Sequence, residues 1–549
     1  MSEVEVTTPT RRDWISLAVL SVGLGVIVLD GTIVGVALPS IITDLGLDLT
    51  QAQWVNSLYA VLLAALLLST GKIADSWGRK RAFLAGLGVF VAGSVLAGFS
   101  TSASTLISAR AVQAVGAALI MPSTLSTVNA VFRGKYRAAA FGVWGAVISG
   151  AAAVGPLAGG ALTQWVSWHW IFLVNVPIGV LVAIGAVLTV RETRSPDKLP
   201  GIDVDGAQLS AIAFGTLVFA IIEAPDLGWW TPKEPLTVFG WTWSTTAPVS
   251  PVPVSLAISA VAFALFIRWE QHRKRVERSA LLDLGLFSYS TFSWGNITAG
   301  AVAIGEFAII FILPLYLINA LGLSVMSAGL VLAAMAVGAF LSGAAARHVA
   351  ARFGAPGTVL IGLALEVVGV IILALVMGAN TSGWLIAAPL TLYGLGLGLA
   401  SAQLTGTVLR DIPVQRSGQG SATQSTVRQV GSALGTAVSG SVFSMALAIT
   451  LPKTLTAAGI TGPLADATSS TTRQSAGSAI TQLRMEGTAS AFGDQTAAVV
   501  QALSEGMADA ARWSLLAATA FLALGFVGAL QVRRAAGTGA ADGEVGAEA

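Results

Sequence analysis

The sequence predicts an all-α protein that crosses a lipid bilayer fourteen times. Three observations carry that prediction. Hydrophobic residues make up 54% of the chain and charged residues only 11%, about half the charged share of a soluble domain. Mean hydropathy is +0.78, more apolar surface than a water-soluble core would hide. The apolar residues also gather into nearly uncharged runs close to the roughly 20 residues that a membrane-spanning helix needs.

In chain order the runs lie at 14–38, 52–70, 82–100, 104–131, 138–163, 170–190, 206–223, 252–268, 290–318, 326–346, 356–378, 383–407, 427–450 and 512–532. The first follows Arg11 and Arg12 and continues to about Leu38 without a clear small-residue cleavage site, so it reads as a retained anchor. The second and third flank Gly71-Lys72-Ile73-Ala74-Asp75-Ser76-Trp77-Gly78-Arg79-Lys80-Arg81, read as a short basic loop at the membrane surface. Fourteen spans place both termini on one side. Of thirty Lys and Arg, twenty-three then fall on that side, five on the other, and Arg110 and Arg428 in or beside spans. Cations resist translocation, so the richer side is expected to be cytoplasmic. Trp14, Trp54, Trp165, Trp168, Trp229, Trp384 and Trp513 fall near run ends, where indole rings favour the interface. The excess of Arg over Lys and the abundance of Ala and Gly suit a bacterial chain in the inner (plasma) membrane.

The expected domains are a six-helix bundle over 14–190, two inserted helices over 206–268, and a second six-helix bundle over 290–532. The loop 224–251 is rich in Pro and Trp and is placed outside. The loop 451–511 is also placed outside; it reads as mobile and variable, with short amphipathic helices allowed at 476–484 and 496–509. The tail 535–549 is rich in Gly and Ala, acidic, and expected to be disordered. A faint repeat sets Ala350-Ala351-Arg352-Phe353-Gly354 after the tenth run as Ala74-Asp75-Ser76-Trp77-Gly78 stands after the second. Two related halves with the site between them are a common transporter plan.

The net charge of +2 suggests no nucleic-acid partner, and the chain has no cysteine. His169, His272 and His348 are far apart in sequence, so neither a metal site nor a cofactor is expected. A membrane enzyme would need a catalytic constellation at one depth, and a channel would repeat a pore-lining element; neither pattern is visible.

What stands out is charge inside the apolar runs: Asp30, Arg110, Glu306 and Glu366. Such groups are costly in hydrocarbon and usually face a cavity or a partner. At about 1.5 Å per residue, Asp30 and Arg110 reach similar depth, so a pair across a water-filled cavity is expected. Glu306 has no obvious cation partner in the sequence. It is therefore read as a proton carrier or as the counter-charge of a cationic cargo, and Glu366 as a further candidate. Glu223 is read as interfacial. Span five carries Gly155, Pro156, Gly159 and Gly160, either for close helix packing or as a hinge.

Together these features resemble the fourteen-span drug/proton antiporters of the major facilitator superfamily, from about Trp14 to Arg534. The stretch containing Gly71, Asp75, Gly78, Arg79 and Lys80 is similar to the gating motif of that family. Leu29-Asp30-Gly31-Thr32-Ile33 through Pro39 is similar to its first-span motif, with Gly35 in place of the usual Asn. Arg110-Ala111-Val112-Gln113-Ala114-Val115-Gly116 is similar to its fourth-span proton-coupling motif, and Gly155-Pro156 with Gly159-Gly160 to its antiporter motif. The resemblance implies the major facilitator fold, two six-helix halves plus an inserted pair. It also implies a monomeric, proton-coupled exporter of amphipathic or cationic small molecules, with Asp30, Gln113 and Glu306 at the substrate cavity. An endogenous lipid or secondary metabolite is the other cargo considered.

Overall fold

A computed structural model describes residues 8–132, 135–194, 203–238, 240–278, 280–413 and 416–545. The chain is almost entirely helical, because a backbone in hydrocarbon must satisfy its own polar groups. Helix α1 (Arg11–Leu45) opens with a capping box between Thr10 and Asp13 and closes on Gly46 at φ 62°. Helix α2 (Leu49–Trp77) opens with a second box, Asp48 with Gln51.

Gly78 alone separates α2 from α3 (Arg79–Gly98). The expected loop over 71–81 is thus corrected to helix on both sides of a one-residue turn at Gly78. Helix lets the chain keep its backbone bonds to the last residue. Gly78 then reverses it at φ 125°, where side-chain-bearing residues rarely go, and a Cβ there would lie 2.6 Å from Glu192 Oε1.

Helix α4 (Ala103–Val131) lies close against α3 through glycine: a Cβ at Gly86 would sit 2.7 Å from Gly116 O. After α5 (Lys135–Trp165), the sixth run is two helices, α6 (Trp170–Leu173) and α7 (Asn175–Thr189), broken at Val174. Helices α8 (Val204–Leu227) and α9 (Pro251–Arg275) are joined through an antiparallel hairpin, β1 (Leu236–Val238) and β2 (Trp241–Trp243). Then come α10 (Ser290–Leu315), ending in a π-helical turn at Tyr316–Ala320, α11 (Val325–Val376), α12 (Gly383–Val408) and α13 (Ser417–Ala457). The last three are α14 (Pro463–Gln474), α15 (Ser478–Glu486) and α16 (Thr496–Val545).

Among the described residues, twelve helices are long and apolar enough to cross a bilayer. Helix α11 counts once among them although it covers two of the predicted runs, with Gly354 non-helical between them at φ 73°, ψ 162°. Helix α5, whose side chains are described only in part, is not among the twelve.

Two further expectations change. The loop 451–511 is largely helical, from the end of α13 through α14 and α15 into α16, and Ile480 and Leu503 are fully buried. Those apolar side chains need a core to cover them, and the bundle supplies it. In the tail, α16 runs on to Val545; residues 546–549 lie outside the described residues.

Three clusters show how the helices group. Leu24, Phe83, Phe90, Ala117 and Val182 unite α1, α3, α4 and α7. Phe292, Leu363, Leu404 and Ala529 unite α10, α11, α12 and α16. The α8–α9 hairpin sits outside the seam between α2 and α13: Val218 and Ile222 pack on Ala60, Val61, Ala433 and Ala437.

The two groups close on each other at the end opposite Gly78. Gly159 admits Ile33 of α1, with its notional Cβ 2.8 Å from Ile33 O. On its other side α5 meets α11: a Cβ at Gly329 would lie 2.6 Å from Pro156 O, and one at Gly160 3.1 Å from the Met326 Cα. Gln164 Oε1 accepts from Met326 N–H at 2.8 Å. Thus Pro156 and Gly160 stand where α5 meets α11, and Gly155 and Gly159 where α5 packs on α1.

Candidate functional site

Asp30, in α1, is completely buried and forms an ion pair with Arg110 of α4, itself 1% exposed. The surrounding groups are placed by four helices, α2, α3, α4 and α7. Arg110 Nη1 also donates to Gln113 Oε1 at 2.8 Å, one helical turn along α4. Gln113 Nε2 donates to Asp30 Oδ1 at 3.1 Å and to Ser94 Oγ of α3 at 2.8 Å. Asn175, the first residue of α7, donates to the same Asp30 oxygen at 3.0 Å. Arg110 Nε reaches the Val55 carbonyl of α2 at 3.4 Å, and its guanidinium lies 4.2 Å from the Tyr59 ring centroid.

Five helices therefore converge on one carboxylate. The predicted pairing of Asp30 with Arg110 is present, but the predicted water-filled cavity between them is not. Asp30 and Gln113 are fully buried, so in this conformation neither lines an open space. The reason is the network itself: charge-assisted bonds and packed rings occupy the room that water would take. Sequence reading missed Ser94, Asn175 and Tyr59. Asn175 left a trace, a lone amide inside Trp170–Pro177 where every other side chain is apolar.

Glu306, in α10, has a cation after all. Arg428 of α13 stands 3.3 Å away, a partner 122 residues distant in sequence that helix packing brings together. This pair is open: the side chains are 16% and 46% exposed. Glu366, in the second part of α11, is instead enclosed, and neither of its oxygens has a hydrogen-bond partner among the described residues. It lies beside α12, where a Cβ at Gly396 would come within 2.9 Å of its Cγ. Glu223 bonds Trp54 Nε1–H at 2.8 Å, tying the inserted hairpin to α2.

The signature turn is a web of bonds. Asp75 and Arg79 form a salt bridge at 2.8 Å across Gly78. Arg79 also donates from Nη1 to Ser126 O of α4 at 3.1 Å, and its backbone N–H to Thr193 O at 3.0 Å. Lys80 donates from Nζ to Val187 O of α7 at 2.8 Å and from its backbone N–H to Glu192 at 3.1 Å. Gly71 lets Pro122 of α4 approach, its notional Cβ 3.4 Å from the proline Cβ. The turn thus binds the near ends of α2, α3, α4 and α7.

Chemically, the arrangement has two acid–guanidinium pairs at different exposure, each bridging helices. Protonating either acid would release its guanidinium and loosen the helices it joins.

Residues 20–436 match the Major Facilitator Superfamily. The chain is 30% identical over 442 residues, 80% of its length and 78% of the relative's, to the multidrug resistance protein Stp of Mycobacterium tuberculosis. It is 30% identical over 433 residues, 78% of its length and 76% of the relative's, to the tetracenomycin C resistance and export protein of Streptomyces glaucescens. In fold it is similar to a bacterial homologue of the human lysosomal transporter Spinster crystallised in an inward-facing, occupied conformation. That likeness has a TM-score of 0.61 at 17% identity and covers 96% of this chain and 98% of that one. With most of its length inside the family match and its buried ion pairs set between packed membrane helices, the chain belongs to the Major Facilitator Superfamily of membrane transporters.

Proposed function

We propose that this protein is a proton-coupled antiporter that exports amphipathic or cationic small molecules from a bacterial cell by alternating access. The observation that carries the reading is the contrast between the two acid pairs. Asp30 with Arg110 is sealed by Gln113, Ser94 and Asn175, whereas Glu306 with Arg428 is open. A sealed pair suits a proton site, and an open acid suits a cation. On this reading Asp30, with Arg110, and Glu306 carry the coupling, Glu366 is a further proton candidate, and Glu306 meets the cargo. Protons entering from outside protonate these acids and favour cargo release. Gly71, Asp75, Gly78, Arg79 and Lys80 hold the inner ends of the first bundle during the swing. Gly155, Pro156, Gly159 and Gly160 form the seal that opens.

The same reading includes fourteen spans, counting α5 and dividing α11 at Gly354, with the divisions 14–190, 206–268 and 290–532. It places both termini and the Gly78 turn in the cytoplasm, and the protein as a monomer in the inner membrane. The closure at the end opposite Gly78 then corresponds to a state shut toward the outside.

The test is reconstitution in liposomes with an imposed pH gradient and a lipophilic cationic dye. Gradient-driven dye movement is expected in the wild type and its loss in Glu306→Gln and Asp30→Asn. Dye movement indifferent to the gradient would remove the antiport reading. A second cargo, a secondary metabolite, is favoured by the similarity to the tetracenomycin C exporter. Uncharged aromatic cargo that still moves in Glu306→Gln would select it.

A further inference from the structure

A second pair of buried acids lies at the Gly78 end, away from Asp30 and Glu306. Asp203 immediately precedes α8 and Glu270 stands near the end of α9; they are 0% and 1% exposed. Asp203 is fixed through Oδ1, which accepts from Gly206 N–H at 2.9 Å and from Trp269 Nε1–H at 2.8 Å. Glu270 is fixed through Oε2, which accepts from Leu282 N–H at 3.0 Å. Their other oxygens, Asp203 Oδ2 and Glu270 Oε1, turn to the same point beside Gly206, where a Cβ would lie 2.8 Å from each. Both oxygens are buried, and neither accepts a hydrogen bond among the described residues.

Two acceptors face each other, and no hydrogen bond among the described residues reaches either, Arg273 meeting Asp203 Oδ2 as an ion pair. Leaving a buried oxygen unbonded costs about 1–3 kcal/mol, and more when it is charged. Two carboxylates in contact also resist joint ionisation. One proton between them relieves both penalties. The surrounding cations keep its release within reach. Arg273 Nε of α9 is 3.3 Å from Asp203 Oδ2. Lys72 of α2 feels both acids and Arg273 electrostatically and donates to Ala280 O, in the connection after α9. Farther along, Lys274 and Arg416 are each paired with Asp283 at 3.4 Å.

We propose that Asp203 and Glu270 share one proton, making a second proton-binding site at the Gly78 end, and that losing this proton tightens the hold of the α8–α9 hairpin on Lys72. Helix α2 runs from Lys72 directly into the signature turn, so the site links proton occupancy at this end to the helix that carries the turn. Its exposure to cytoplasmic pH rests on the orientation proposed above.

Infrared pH-difference spectra of the purified full-length protein test the site without any transport assay. A protonated carboxyl gives a C=O stretching band that disappears as pH rises. Part of that band is expected to be lost in both Glu270→Gln and Asp203→Asn. Glu270→Gln retains a donor toward Asp203 Oδ2 and so mimics the protonated pair; if it does not fold, Asp203→Asn reads the same band. Wild-type spectra in a folded variant overturn the site. In liposomes, Glu270→Gln is expected to keep gradient-driven transport, with its dependence on internal pH reduced. A lost band component in a protein whose transport ignores the imposed gradient would leave the site standing and remove only the antiport reading.

Discussion

At the scale of single residues, the Asp30 network is where one atom decides most. Breaking a buried ion pair by removing one charge typically costs about 3–5 kcal/mol, because the other charge stays buried and uncompensated. Asp30→Asn keeps the shape and leaves Arg110 in that position; it is expected to lower thermal stability in detergent by that order as well as abolish gradient-driven transport. Asn175→Ala removes one of the two amide donors to Asp30 Oδ1. It is expected to cost about 1–3 kcal/mol and to shift the pH dependence of transport, measured as initial dye flux against pH. The charged members of this site could be read from the sequence because a charge in an apolar run is conspicuous. Ser94 and Tyr59 could not, and Asn175 left only its isolation among apolar residues, since uncharged polar residues are common in membrane helices and only packing shows what they touch. The partner of Glu306 was hidden for a related reason: Arg428 stood at a span edge with nothing local to give its direction.

At the scale of elements, glycine and the outer helices determine how helices meet. Gly159 lies against the Ile33 backbone, whereas a Cβ at Gly150 in the same helix meets nothing within 4 Å. Gly159→Ala is therefore expected to force α1 and α5 apart, at about 1–3 kcal/mol, and to reduce transport several-fold. Gly150→Ala is expected to be neutral in the same flux assay. The segment expected as a mobile loop is bound to α10 instead. Arg484 of α15 donates to the Asn319 carbonyl at 3.3 Å and the Ala320 carbonyl at 3.0 Å, while Asn319 Nδ2 donates to Ala476 O at 3.1 Å. Burial pushes the Arg484 guanidinium below its usual pKa, so those carbonyls are what keep the charge tolerable there. Arg484→Ala is expected to raise hydrogen exchange across 478–486; unchanged protection would show that Ile480, Leu483 and Thr481 hold α15 without it. The sequence allowed helices here, but their docking depends on the π-helical turn at Tyr316–Ala320, for which no local pattern gives notice.

At the scale of the whole molecule, the halves meet through α5 and α11 at one end. Because the chain contains no cysteine, introduced cysteines will be the only thiols present. Gln164→Cys combined with Met326→Cys replaces a pair in contact across the halves at 2.8 Å. A short thiol-reactive cross-linker is expected to join them and stop transport, read as a gel-mobility shift together with loss of dye flux. Cross-linking that leaves flux intact would mean that this contact persists through the cycle. The faint repeat is relevant at this scale too, since Gly78 and Gly354 both take positive φ at the turn between consecutive helical segments.

By itself the sequence determined that the chain is a helical membrane protein, roughly where its helices lie, and which charges are out of place in oil. Those properties follow from hydropathy and length, which are local sums over neighbouring residues. Only the tertiary structure decided that Asp30 is sealed, that Glu306 faces Arg428, that Glu366 is enclosed, and that the signature stretch turns on one glycine. Each of these depends on which helix faces come together, and residues 80 to 145 positions apart meet at Asp30 through packing that no local stretch of sequence encodes.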